Sequence, residues 1–95
     1  MAEKRNLKQW ATLYRGLGNP NRLKILKLLS RTDKLSVSEL AGELKITLKN
    51  TSRNLSILLN LGLVEFEGRQ DRVYYSLNKR NASDIQQILK ITLKH

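Results

Sequence analysis

The segment from residue 35 to 64 constrains the fold most, because it holds two helical patterns separated by only a short turn. The first helix opens with Ser36-Val-Ser-Glu39, a capping box in which the serine and glutamate side chains satisfy each other's backbone amides. Thr47 is the predicted N-cap of the second helix, and Gly62 suits a left-handed stop at its C-terminus. The pattern therefore predicts two consecutive, closely joined helices.

The second of these helices, which runs from Thr47 to about Leu61, has two chemically different faces. Helical spacing turns Thr51, Leu55, Leu58 and Leu59 inward. Arginine can donate two hydrogen bonds to guanine, asparagine can pair with adenine, serine can bond a base or a phosphate, and a helix N-terminus favours phosphate. We therefore predict a helix-turn-helix that reads a DNA major groove, with an ordinary solvated face as the alternative. The candidate DNA contacts are Thr47, Lys49, Asn50, Ser52, Arg53 and Ser56.

The remaining patterns supply three helices and two strands. Helices are predicted over residues 4–17, 20–30 and 82–94, strands over 63–67 and 72–77. Asn19 precedes a proline at the first position of the second helix, and Asn81 is the predicted cap of the last helix. The order α-α-α-α-β-β-α is mainly α with a two-stranded β-hairpin, a winged helix-turn-helix. No linker or repeat divides the chain, so we expect one DNA-binding domain over 1–95.

The hairpin supplies a second candidate contact with DNA. Its turn is predicted at Gly68-Arg-Gln-Asp71, and Arg69, Gln70 and Arg72 surround the tip. Such a basic loop beside a reading helix can reach phosphates or the minor groove, although an ordinary polar loop remains the alternative. Glu65 and Glu67 indicate that the first strand faces away from DNA.

The terminal helices carry more apolar surface than the predicted core can easily cover. Packing against a second copy would bury that surface, and a twofold dimer would place two reading helices about 34–36 Å apart. The alternative is that both helices pack on their own domain. The candidate dimer residues are Leu7, Trp10, Tyr14, Ile85, Ile88 and Leu89.

Composition narrows the function classes. The chain has 18 Lys and Arg against 8 Asp and Glu, a net charge of +10 that favours a polyanion partner such as double-stranded DNA. There is no cysteine, and the only histidine is His95, so thiol chemistry, a thiolate metal site and a Ser/His/Asp arrangement are excluded. We expect that the protein is not an enzyme and that it binds no cofactor or metal. We also expect no membrane span and no secretory signal, and therefore a location in the cytoplasm.

Five stretches resemble those of the ArsR-type winged-helix repressors of bacteria and archaea: residues 17–26, 35–41, 51–55, 62–64 and 69–77. The resemblance covers nearly the whole chain and implies a homodimer that binds an inverted-repeat operator and blocks transcription until an inducer, commonly a metal, releases it. Asn54 departs from the histidine of the family's Ser-x-His-Leu pattern, which affects a backbone contact or a bond between helices. The family's metal-binding cysteines and terminal Asp/His pattern have no counterpart in 39–44 or 82–95. The resemblance therefore implies the DNA-binding part without metal or thiol sensing, and leaves the inducer unknown.

Sequence-specific regulation is the leading hypothesis, and three alternatives remain open. A non-specific nucleoid-type or RNA-binding winged helix would also use the charge of +10. A winged helix used for protein contact would dock the outer helix face on a partner. A membrane-surface role is the weakest, because no helix shows a strong basic amphipathic pattern with a bulky apolar face left over.

Overall fold

The computed structural model describes residues 5–92, which form five α-helices, three strands and a short 3-10 helix. The fold is mostly helical with a small antiparallel sheet, and this confirms the predicted winged helix-turn-helix class. Residues 4, 93 and 94 of the predicted terminal helices lie outside the described residues, as does His95. In chain order the elements are α1 (Leu7–Leu17), α2 (Pro20–Arg31), β1 (Leu35–Ser36), α3 (Val37–Leu44), α4 (Leu48–Asn60), β2 (Val64–Arg69), β3 (Arg72–Leu77), the 3-10 helix (Lys79–Asn81) and α5 (Ala82–Thr92).

Three of the predicted helix N-caps are confirmed. The Asn19 side chain accepts hydrogen bonds from two backbone amides of the first turn of α2, with Pro20 at the start of that helix. Ser36 and Glu39 form the reciprocal capping box of α3. Thr47 Oγ1 accepts from the backbone amide of Asn50 at 3.0 Å. Each side chain satisfies an amide that the helix itself leaves without a partner, so local sequence is enough to set where these helices begin.

The predicted β-hairpin is confirmed as β2 and β3, but the sheet has a third strand, β1, which was not predicted, and its order is β1-β3-β2. The extra strand pairs Leu35 with Tyr75, and Ser36 with Tyr74, in antiparallel register. Two residues are too few to produce an alternating pattern in the sequence. Ser36 therefore both ends a strand and caps the following helix, and it fixes α3 to the sheet.

The hairpin loop is also shorter than predicted. Gly68 pairs with Val73 and Arg69 with Arg72, so both residues assigned to the first half of the turn belong to β2. Only Gln70 and Asp71 lie between the strands, and Gln70 adopts the left-handed φ of 56°. A two-residue connection of this kind matches the twist of an antiparallel pair, which extends the strands to the tip. The wing, defined here as β2, β3 and this loop, is therefore a continuous ladder up to its end.

Asn81 does not cap α5 as predicted. It ends the 3-10 helix that precedes α5, and its Nδ2 donates to the backbone carbonyl of Gly62 at 2.6 Å. Asn78 caps that 3-10 helix instead, by accepting from the Arg80 amide at 2.9 Å. Gly62 has the predicted left-handed backbone, with φ +76°. The bond from Asn81 therefore holds the start of α5 against the C-terminal end of α4.

One hydrophobic core unites the elements, with α2 in contact with α1, α3, α4, α5 and β3. Ile85 and Leu89 are buried in this core, 3% and 7% exposed. The prediction from sequence places them at a dimer interface because it expects a single chain to leave them exposed. That expectation is wrong, because the core of one chain, including α2, already buries them. None of the helices within residues 5–92 has the length and hydropathy needed to span a membrane. The buried core residues are Leu13, Leu17, Ile25, Leu26, Leu29, Leu40, Leu44, Leu55, Leu58, Leu63, Val64, Ile85 and Leu89.

Candidate nucleic-acid interface

A tight turn fixes α4 relative to α3. Lys45 ends α3 in the left-handed conformation, with φ 57°, and its amide donates to the carbonyl of Ala41. The amide of Ile46 donates to the same carbonyl at 3.3 Å, and Thr47 then caps α4. Leu40 and Leu44 of α3 share the core with Leu55 of α4. The two helices therefore pack as one unit, the arrangement that presents a reading helix in helix-turn-helix proteins.

The two predicted faces of α4 are separated in the structure. Thr51, Leu55 and Leu58 are completely buried, and the Thr51 hydroxyl donates to the Thr47 carbonyl at 2.8 Å. Because that hydroxyl is satisfied inside the helix, burying it costs little. Contact of the outer face with DNA stays a prediction. The residues of that face, all exposed, are Thr47, Lys49, Asn50, Ser52, Arg53 and Ser56.

Asn54 lies on the inner side of α4 and bonds to a second helix. Its side chain, in a residue only 8% exposed, accepts at Oδ1 from Nη1 of Arg22 at 2.9 Å. Nε of the same arginine donates to the carbonyl of Gly16 in α1. The predictions from sequence did not identify Arg22 as a functional residue, because the periodicity of a sequence cannot show that two side chains 32 positions apart are in contact. The expectation from sequence is that Asn54 affects either a backbone contact or a bond between helices. The structure shows a bond between helices, from Arg22 of α2 to Asn54 of α4.

The basic tip of the wing is exposed, but one of its arginines already faces an acid. Arg69, Gln70 and Arg72 are all exposed. Arg69 Nε lies 3.6 Å from Oε2 of Glu67, whose Oε1 accepts from Lys34 Nζ at 3.1 Å. The hydrogen bond and charge of Lys34, with the charge of Arg69, lower the pKa of Glu67. Glu67 therefore stays ionised and offsets part of the positive charge at the base of the wing.

The cap of α3 also influences ionisation near the wing. The Glu39 carboxylate accepts from the Ser36 amide at 2.9 Å, and this backbone bond is the main reason that its pKa is lowered. The hydroxyl of Ser36 and the charge of Arg72 lower the pKa further. An ionised Glu39 at this position also complements the dipole at the start of α3.

An exposed leucine stands among the candidate contacts. Leu48 is the first residue of α4, directly before Lys49, and is 56% exposed. Leu48 is not one of the predicted DNA contacts, because that prediction includes only polar and basic side chains. The signal that could have found it is its position, one residue after the N-cap, at the end of α4 where the predicted reading face begins.

The terminal helices meet at their starts and leave apolar side chains outside. Arg5, which precedes α1, forms an ion pair with Asp84 of α5. The Cζ atom of Arg5 lies 5.6 Å from the centroid of the Trp10 ring, and the Trp10 and Tyr14 rings stack with their centroids 5.9 Å apart. Trp10 and Ile88 are half-buried against the core, whereas Leu7 and Tyr14 are exposed. Ile91 of α5 is exposed as well and was not among the predicted interface residues. Within residues 5–92, nothing covers Leu7, Tyr14 and Ile91.

Metal ligands are scarce in the part of the chain described. Within residues 5–92 no group of three or more His, Cys, Asp or Glu side chains could hold an ion. His95 lies beyond this range. The donor set of the full sequence, with no cysteine and a single histidine, does not fit a thiophilic metal.

A tightly joined helix pair followed by a β-hairpin defines a winged helix-turn-helix protein, with a polar and basic outer face on the second helix of the pair. Residues 19–65 match the family described as bacterial regulatory protein, arsR family. The chain is 32% identical over 83 residues to the uncharacterized HTH-type transcriptional regulator MJ1325 of Methanocaldococcus jannaschii, covering 85% of this chain and 88% of that protein. The protein belongs to the ArsR family of DNA-binding transcriptional regulators.

Two further relatives agree with this assignment. A cadmium resistance transcriptional regulatory protein CadC homolog of Staphylococcus aureus is 28% identical over 82 residues, 86% of this chain and 68% of its own length. The homodimeric winged helix-turn-helix DNA-binding domain of Mb0332 from Mycobacterium bovis superposes with a TM-score of 0.78 at 27% identity. That likeness covers 99% of this chain and 91% of the Mycobacterium domain.

Proposed function

We propose that this protein is a sequence-specific repressor that binds an inverted-repeat operator as a homodimer, with residues 1–95 acting as one domain. The observation that carries the proposal is the separation of faces on α4. Its inner face is fully engaged in the core, while Lys49, Ser52 and Arg53 stand exposed at the end that a major groove would receive. A DNA target also implies that the protein acts in the cytoplasm, beside the chromosome.

The proposed dimer forms through the terminal helices. Leu7, Tyr14 and Ile91 are 87%, 66% and 70% exposed, and the part of the chain that the structure describes leaves these apolar side chains in contact with water. A twofold axis through this face would repeat α4 about one turn of duplex away. The homodimeric state of the Mycobacterium domain of similar fold supports the formation of a dimer.

Regulation in this proposal does not use a metal or a thiol. The sequence offers no cysteine and one histidine, so the ligands that thiophilic metal sensing requires are missing from the chain itself. In this proposal the cadmium resistance in the name of the Staphylococcus relative is not carried over to this chain. An inducer of this protein would be of another chemical class.

The decisive experiment is selection of bound duplexes from a random pool, followed by sequencing. A consensus of two inverted half-sites with centres about one helical turn apart would support operator binding by a dimer. The variant in which Lys49 and Arg53 are both replaced by alanine should recover no consensus. A pool that stays random after selection with the unchanged protein would contradict the proposal.

Non-specific binding is the second candidate, because the net charge of +10 favours any polyanion. Competition at moderate salt separates the two. A specific regulator keeps its selected duplex in the presence of excess random DNA or RNA, whereas a nucleoid-type protein releases it in proportion to the competitor. Failure to retard any duplex at low salt would instead favour a winged helix used for protein contact.

A further inference from the structure

Leu48 is an exposed apolar side chain at the start of α4 and is not among the residues packed in the core. A single exposed leucine on a protein surface needs no explanation by itself, but its position here is specific. Among the leucines of residues 5–92, Leu7 and Leu48 are the large exposed ones, and Leu7 belongs to the proposed dimer face. Leu48 stands instead in the first turn of α4, between the N-cap Thr47 and Lys49.

The neighbours of Leu48 show which surface it shares. Residues four apart lie along one stripe of a helix, so Leu48, Ser52 and Ser56 form an exposed row beside the row of Lys49 and Arg53. The row begins at the N-terminus of α4, where the Thr47 side chain is occupied by the cap. An operator held by this face would meet Leu48 at the leading end of the helix.

The base edges of a major groove offer one kind of apolar group, the 5-methyl of thymine. A leucine cannot hydrogen-bond to a base, so its contribution to base choice must come from burying such a methyl group. We propose that Leu48 reads a thymine in each half-site by contact with its 5-methyl group. This inference rests on the proposed function and adds a base preference to it.

The test removes single methyl groups from the DNA. In the selected operator each thymine is changed in turn to deoxyuridine, which pairs identically and lacks only the methyl group. Burial of one carbon of this size corresponds to about a fourfold change in affinity. At one thymine of each half-site, deoxyuridine should weaken binding of the unchanged protein by about fourfold, and should leave binding of Leu48→Ala unchanged.

Asn60→Ala is the matched control, because Asn60 is exposed at the other end of α4 and is not among the candidate DNA contacts. This variant should keep the full response to deoxyuridine. Equal sensitivity of the unchanged protein and Leu48→Ala at every thymine overturns the inference, as does a consensus in which no thymine responds. In either case an inverted-repeat consensus would still support the proposed function. A pool that stays random after selection would overturn both the proposed function and this inference.

Discussion

Arg22 of α2 joins the end of α1 to the buried side of α4 through one guanidinium group. Its Nη1 donates to Oδ1 of Asn54 at 2.9 Å, and its Nε donates to the carbonyl of Gly16. Asn54 is next in sequence to Arg53, a candidate base contact. The helix that carries the exposed Tyr14 is therefore bonded, through a single side chain, to the helix that we propose reads DNA.

Replacing Arg22 with alanine should destabilise the fold and weaken operator binding together. Asn54 would keep a buried amide without its partner, which costs about 1–3 kcal/mol of unfolding free energy. Urea unfolding measures this loss. Arg31→Ala on the same helix is the control, since Arg31 is exposed and such surface changes stay within about 0.5 kcal/mol. Equal stability of the two variants would show that the bond to Asn54 contributes nothing.

Arg53 and Arg69 should differ in what they contribute to DNA binding. Arg53→Ala should cost about 1–3 kcal/mol on the operator and relax base preference at one position, because arginine on a reading helix contacts a base edge. Arg69→Ala should weaken all duplexes alike and reduce the log–log salt slope by about 0.9, the effect of one phosphate contact. Titrations of operator and random duplex at several salt concentrations distinguish them. A change of base preference in Arg69→Ala would contradict the assignment of the wing to phosphates.

Gly62 and Gly42 should respond in opposite directions to alanine. At Gly62 the φ of +76° disfavours any side chain, and a Cβ would lie 2.9 Å from Nδ2 of Asn81, so Gly62→Ala should lose at least about 1 kcal/mol of stability. Gly42 lies within α3 with nothing near the added carbon, so Gly42→Ala should gain about 0.5–1 kcal/mol. Thermal and urea unfolding report both. A neutral Gly62→Ala would mean that the bend after α4 tolerates another backbone conformation.

Acid should remove the contribution of the α3 capping box. The bonds from Ser36 lower the pKa of Glu39 from 4.5 in the folded protein, so the unfolded chain binds more protons there. The stabilisation is complete above pH 4.5 and is lost as the pH falls through the lowered folded pKa. Glu39→Gln keeps an acceptor and cannot titrate, so its stability deficit should shrink on acidification. A deficit that is constant between pH 6 and pH 3 would contradict this.

Tyr14→Asp should yield a folded monomer. Tyr14 is exposed in the single chain, so the substitution leaves the core intact and places a charge on the proposed interface. Sedimentation should show half the mass, and operator affinity should fall because each half-site must then be bound separately. Tyr14→Phe, which keeps the ring, should remain dimeric. Dimers of unchanged strength in Tyr14→Asp would place the interface elsewhere.

Some features follow from local sequence because their partners are only a few residues away. Ser36 and Glu39, Asn19 before Pro20, and Thr47 identify three helix starts correctly, and Gly62 identifies a left-handed stop. The polar and buried faces of α4 follow in the same way from spacing along one helix. The sequence also predicts the family, since its motifs run through most of the chain.

Other features were decided only when distant segments met. The third strand exists because Leu35 and Ser36 reach Tyr75 and Tyr74, about forty residues away, and two residues leave no periodic trace. Asn81 bonds to Gly62 in place of capping α5, because folding brings the Gly62 carbonyl, 19 positions away in the sequence, to its Nδ2.

Ile85 and Leu89 illustrate the same limit for surfaces. Helical spacing shows that they share an apolar face, but only the packing of α5 on α2 decides that one chain covers it. By itself the sequence determined three helix starts and the two faces of α4, because these depend on contacts within a few residues, and its motifs predicted the family. The tertiary structure alone decided the sheet order, the bond of Arg22 to Asn54 and which apolar residues stay exposed, because these depend on long-range contacts that periodicity cannot encode.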